Sequence, residues 1–147
     1  MELLGPSLSD VRRKLPHGRF PVATLTRLAL QMLRALRAMH DEGFLHRDVK
    51  PSNFAMGVGE RQQQCFVIDF GICKRFRSSS GDLQPARQVA QFRGSTAYAS
   101  AHSHLLMDLG RRDDLWSLFY VLVEFLEGEL PWRHVTEKVS CAPCWMM

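Results

Sequence analysis

His46-Arg47-Asp48-Val49-Lys50-Pro51-Ser52-Asn53 concentrates an acid, a cation and an amide in one short polar segment, and Asp69-Phe70-Gly71 follows it at a strand's distance. These side chains have complementary chemistry. Asp48 is a carboxylate able to orient a hydroxyl and accept its proton. Lys50, two residues on and on the same side of an extended loop, reaches toward the same substrate as a point charge. Asn53 brings a neutral carbonyl oxygen and Asp69 a second carboxylate, the hard-oxygen donors that Mg2+ accepts when phosphates complete its shell. Taken singly, they are a surface Asp, a solvated Lys and an Asn in a turn. Their order and separation are what point to one shared site.

Just beyond this stretch, Phe54-Ala55-Met56 and Cys65-Phe66-Val67-Ile68 read as two short apolar strands joined by a polar turn, Gly57 to Gln64, hinged at Gly57 and Gly59. Such a hairpin places Asn53 and Asp69 at adjacent ends, as shared metal coordination requires. On the N-terminal side, Leu25, Leu28, Ala29, Met32, Leu36 and Met39 fall on one face of a helix starting near Thr24, with Arg27, Arg34 and Arg37 outside it. The methionines on that face are packing residues. The helix ends near Asp41-Glu42-Gly43, where Gly43 supplies the C-terminal turn, and Phe44-Leu45 leads straight into the polar segment. It is therefore the rigid support that positions Asp48.

Farther out, Ser7-x-x-Asp10 is a capping box for a short basic helix through Leu15, and Pro16 to Pro21 breaks that helix. From Gly71 to Ser100 the chain is loop-like and basic. Arg111-Arg112-Asp113-Asp114 opens a second long helix whose early acids suit the helix dipole. Its continuation, Trp116 to Leu126, is apolar nearly all round, which predicts a helix buried at the centre of its lobe. Gly128-Glu129-Leu130-Pro131-Trp132 ends it.

The 147 residues fit one domain or part of one, and 46% apolar with 23% charged residues are ordinary globular values. The net charge of +4 is spread over several segments, so no nucleic-acid partner is expected. Met1 to Pro6 lacks a signal-peptide pattern, and the run Leu118 to Leu126 is too short to span a membrane and is interrupted by Glu124, so no membrane association is expected either. Cys65, Cys73, Cys141 and Cys144 show no disulfide framework, which points to the cytoplasm or the nucleus. Cys141-x-x-Cys144 has no second pair with which to complete a zinc site.

The segment His46 to Asn53 followed by Asp69-Phe70-Gly71 resembles the protein-kinase signature H-R-D-x-x-x-x-N then D-F-G, and matches it at every fixed position. The stretches 43–56 and 113–132 resemble the tau-tubulin kinase branch of the casein kinase 1 superfamily, whereas Met1 to Leu8 is closer to the hinge of casein kinase 1 proper. The resemblance covers about residues 1–134; 135–147 read as an unrelated tail. It implies an α+β, mainly helical fold, the large C-terminal lobe of a kinase, incomplete and with the small lobe absent. It also implies a serine/threonine kinase, because Lys50 in H-R-D-V-K-P-S-N is the Ser/Thr form of the loop, with Mg-ATP as co-substrate and a protein hydroxyl as acceptor.

By the same resemblance Asp48 is the base, Lys50 the electrostatic partner of the transferred phosphate, and Asn53 and Asp69 the Mg2+ ligands. Met1 takes the gatekeeper position, with Glu2 and Leu4 along the adenine edge. Ser95 stands where the family has a threonine whose hydroxyl bridges the catalytic acid and lysine. Ala97 replaces an arginine that contributes to a site for phosphorylated or acidic substrate groups. His46, Arg47, Phe70 and Asp114 support the site, Asp114 by holding the loop backbone, and Gly71 lets the chain turn away from the metal. No Gly-rich phosphate loop or strand lysine precedes Met1, so this stretch alone is expected to have little or no turnover. The competing expectation is a non-catalytic fragment that binds substrates or partner proteins through the segment 71–100 and the surface of the large lobe.

Overall fold

The structure, a computed structural model, describes residues 3–87 and 89–134. Met1, Glu2 and the tail from 135 onward lie outside the described residues. Helix α1 (Leu8–Arg13) is closed by the expected capping box: Asp10 N–H donates to Ser7 Oγ at 3.1 Å and Ser7 N–H to Asp10 Oδ2 at 3.3 Å. These bonds satisfy backbone donors that a helix start otherwise leaves unpaired.

Helix α2 (Val22–Asp41) begins two residues before Thr24, because the extended Pro21 already supplies the carbonyl that accepts Leu25 N–H at 2.9 Å. Its periodicity is as expected. Leu28, Met32 and Leu36 are buried, Leu25, Ala29 and Met39 partly so, and Arg27, Arg34 and Arg37 are in water. Each fully buried aliphatic side chain on this face contributes about 1.5–3 kcal/mol relative to exposure. Gly43, at φ 82°, makes the C-terminal turn with its N–H on His40 O.

Helix α4 (Arg111–Glu127) follows α3 (Ala101–His104) and does not match the all-round burial predicted for it. Leu118, Val121 and Phe125 are buried against α2 and against Phe20, whose ring lies 4.7 Å from that of Phe125. Leu115, Trp116, Phe119 and Leu126 stay about half exposed. The polar residues make up the difference, since Asp113, Asp114 and Glu124 are all buried. An apolar composition is compatible with burial on every side but does not require it.

The strands form two antiparallel pairs. β2 (Phe54–Met56) pairs with β3 (Cys65–Val67) in the expected hairpin, Phe54 opposite Val67 and Met56 opposite Cys65. Gly57 is required at the turn by space, since a Cβ there would lie 2.3 Å from Arg61 O. The extended segment 3–6 runs beside β2, Gly5 N–H donating to Met56 O and Met56 N–H to Pro6 O. β1 (Phe44–Leu45) pairs with β4 (Lys74–Arg75), so part of the stretch predicted as loop is strand. Two basic residues carry no apolar alternation, and only the pairing across the fold makes them a strand. Among the described residues no helix is long and apolar enough to cross a membrane.

Candidate active site

The polar segment is suspended between α2 and α4 by one buried carboxylate. Asp114 Oδ2 accepts His46 N–H at 2.9 Å, its Oδ1 accepts Arg47 N–H at 2.8 Å, and His40 Nε2 lies 2.8 Å from Oδ2. Asp114 thus holds the loop backbone as expected. His40 was not foreseen, although it continues the 28-32-36 series at a spacing of four and is the one polar member of that stripe.

The loop is also fixed by its own side chains. His46 is fully buried, its Nδ1 accepting Asp48 N–H at 3.2 Å and its Nε2 lying 3.3 Å from Ile68 O. Arg47 adopts φ 67°, a left-handed conformation uncommon for a residue with a side chain. Its guanidinium donates to Ile72 O at 2.8 Å and to Cys73 O. Burial, and then the charges of Arg93 and Arg87, lower the Arg47 pKa. Cys73 Sγ lies 3.8 Å from His46 O, and burial, with help from Asp114, pushes its thiol up to about 11. It is a packing thiol at neutral pH.

Asp48 is the meeting point. Its Oδ1 accepts Ser95 N–H and Ser95 Oγ–H, both at 2.9 Å; its Oδ2 accepts Lys50 Nζ at 2.6 Å and Asn53 Nδ2 at 3.1 Å. Burial pushes the carboxyl pKa up and is the largest single influence, but the bonds from Lys50, Ser95 and Asn53 together outweigh it and hold the group below the usual carboxylate range. The bridge expected of Ser95 takes a different form: Asp48 itself joins the serine on one oxygen to the lysine on the other. Gly94 makes this approach possible, with φ 92° and so little room that a Cβ would lie 2.5 Å from Arg47 O.

Asn53 and Asp69 sit where the hairpin was expected to put them, Ile68 N–H donating to Asn53 O at 2.9 Å immediately before Asp69. Asn53 is buried and its Nδ2 is committed to Asp48 O and Oδ2, which leaves Oδ1 as its free acceptor. Asp69 is exposed and accepts Gly71 N–H at 3.2 Å. The turn expected at Gly71 is made two residues earlier, by Asp69 itself at φ 63°; a Cβ at Gly71 would stand 3.2 Å from Asp69 Oδ1. Phe70 is 55% exposed, its ring 6.0 Å from that of His46. Leu4 lies half-buried in the segment beside β2; Met1 and Glu2 fall outside the described residues.

Two oxygen donors, one amide and one carboxylate, suit a Mg2+ ion, which usually keeps several waters and takes its other ligands from phosphate. Among the described residues no group of three or more His, Cys, Asp and Glu forms a metal cage.

A second buried carboxylate, Glu124, secures the chain that carries Ser95. Its Oε2 accepts Tyr98 Oη–H at 2.6 Å, and its Oε1 pairs with Arg12 at 2.9 Å and Arg133 at 3.1 Å. Burial and the bond to Glu124 raise the Tyr98 pKa. The cue for Glu124 was its position as the single acid in the apolar run 118–126. Ala97 brings no side-chain charge; its carbonyl accepts Trp132 Nε1–H at 2.8 Å.

An acid bonded to a lysine and a serine, an amide on the same acid, and a second acid across a hairpin are the residue types, in the arrangement, that the phosphoryl-transfer centres of protein kinases use. The sequence matches the family model for the protein kinase domain over residues 1–143, and the chain belongs to that family. It is also 54% identical over 139 residues to a probable serine/threonine-protein kinase of Dictyostelium discoideum, an alignment covering 94% of this chain and 28% of that protein.

Proposed function

We propose that the chain is the large-lobe portion of a serine/threonine protein kinase of the casein kinase 1 superfamily, tau-tubulin branch, which passes the γ-phosphate of ATP to protein hydroxyls. The single observation that carries this is the occupancy of Asp48, whose two oxygens engage Ser95 and Lys50 separately. Asp48 orients the acceptor hydroxyl and takes its proton as the new P–O bond forms. Its lowered pKa keeps it ionised for that task at neutral pH. Lys50, 26% exposed, turns from Asp48 Oδ2 to the transferred phosphate, which frees that oxygen for the hydroxyl. Ser95 holds the other oxygen and fixes the carboxylate plane. Asn53 Oδ1 and Asp69 would hold Mg2+, which when bound with ATP neutralises charge on the phosphates. Met1 is assigned to the gatekeeper position, and Glu2 and Leu4 to the adenine edge.

The test is transfer of radiolabelled phosphate from Mg-ATP to casein, with the chain compared to its Asp48→Asn form. A weak signal that disappears in the variant supports phosphoryl transfer through Asp48. Equal signals in both would assign the chain instead to protein binding through the segment 71–100.

A further inference from the structure

A groove of about 620 Å³ lies on the opposite end of the β2–β3 hairpin from Asn53 and Asp69, between α2 and the start of β3, and is lined by Arg27, Leu30, Gln31, Arg34, Ala35, Gln64 and Cys65. Its base is fixed. Gln31 donates from Nε2 to Gln63 O at 3.1 Å and accepts Cys65 N–H on Oε1 at 2.8 Å, which pins helix to hairpin. The apolar lining of the groove comes from Leu30, 49% exposed, and Ala35. Arg27 and Arg34 stand at its two ends, exposed, seven residues and therefore about 10 Å apart along one face of α2. Among the described residues no carboxylate lines the groove and neither arginine has an ion pair, in contrast to Arg37, which lies 3.6 Å from Asp41. Cys65 adds no reactivity, since burial pushes its thiol up to about 12.

We infer that this groove docks an acidic peptide segment of a partner protein, an apolar side chain resting on Leu30 and Ala35 with a carboxylate on Arg27 and another on Arg34. Guanidinium groups favour carboxylates because the planar fork matches two oxygens at once. The spacing selects the ligand further. A peptide in the polyproline-II conformation advances about 3.1 Å per residue and repeats every three residues, so two acids three residues apart fall on one side of it about 9 Å apart, with the apolar residues between them in sequence. A basic segment is repelled, and a purely apolar one leaves both arginines without a partner. The docking surface stands apart from the phosphoryl-transfer site and does not depend on it.

The test uses the whole chain and a fluorescein-labelled octapeptide, Gly-Ser-Glu-Leu-Leu-Glu-Gly-Ser, followed by fluorescence anisotropy. Saturable binding is expected, weakened about tenfold or more by glutamine in place of both glutamates, by Arg27→Ser with Arg34→Ser, and by Leu30→Ser. Arg37→Ser on the same helix is expected to leave it unchanged, and thermal melting of each variant checks that the fold is retained. Absence of saturable binding overturns the inference. So does equal binding of the glutamine peptide, or an equal loss with Arg37→Ser. Indifference to Leu30→Ser would reduce the site to surface charge and overturn it as well.

Discussion

Helix α2 turns Leu28, Met32 and Leu36 inward and leaves Arg27, Arg34 and Arg37 in water, whereas α4 buries Asp113, Asp114 and Glu124 and leaves Leu115, Trp116, Phe119 and Leu126 half exposed. The first helix is a packing element. The second is a frame whose inward acids each hold a separate piece of chain. Asp114 holds the loop at His46 and Arg47, Glu124 holds Tyr98 and Arg12, and Asp113 takes Ser100 Oγ–H at 2.7 Å and lies 2.8 Å from His102 Nδ1. Burying a carboxylate is costly unless several donors meet it, and each of these three has at least two. The contrast shows that a helix can support a site with its charged residues as well as with its apolar ones.

The widest separation between the two helices is expected from Asp114→Ala. That change leaves the buried His46 N–H, the partly buried Arg47 N–H and His40 without their acceptor, and a loss of about 3–5 kcal/mol is expected in urea unfolding. A loss under about 1 kcal/mol would mean that the loop holds itself and that α4 is not its frame. Leu36→Ala in α2 tests the packing half of the comparison. A fully buried leucine removed from a tight core costs about 2–5 kcal/mol by transfer and cavity together, and here the expected signature is loss of stability with no change in the Asp48 environment.

Phe119→Ser probes the outward face of α4. At 52% exposure the side chain contributes little to the core, so the stability change should stay within about 0.5 kcal/mol. A larger loss would show that the half-exposed face packs more than its exposure indicates. The smallest effect on stability, and the most specific to the site, is that of Lys50→Met on the titration of Asp48. The lysine bond is the leading influence that lowers this pKa against burial, so its removal should raise the value seen by carboxyl-carbon NMR. Because the folded pKa is depressed, the stability tied to Asp48 is present above its ordinary value of about 3.9 and is lost as pH falls through the lower folded one. An unchanged titration in the variant would remove Lys50 from the arrangement.

Much of the candidate site could be read along the chain because its members lie within short stretches. Asp48, Lys50 and Asn53 share one loop, and the apolar runs 54–56 and 65–68 with glycines between them specify the hairpin that brings Asp69 alongside. The roles of His40, Gly94 and Glu124 are not legible along the chain because they lie across the fold. His40 reads as one more helix position until Asp114, 74 residues away, faces it. Gly94 reads as a loop glycine until Arg47 O lies where its side chain would be. The β4 strand is not legible for the same reason, since Lys74 and Arg75 are ordered by β1 and not by their own pattern.

What the amino-acid order settled unaided was local: the cap at Ser7, the stripe on α2, the hairpin, and the set of acid, cation and amide in the polar loop, each following from residue type at a spacing of a few positions. The folded chain decided which way α4 faces, where the backbone takes positive φ, and which oxygen of Asp48 meets which donor. Those outcomes depend on desolvated groups finding partners from distant segments, and the strength of a buried polar contact is set by that company and not by sequence neighbours.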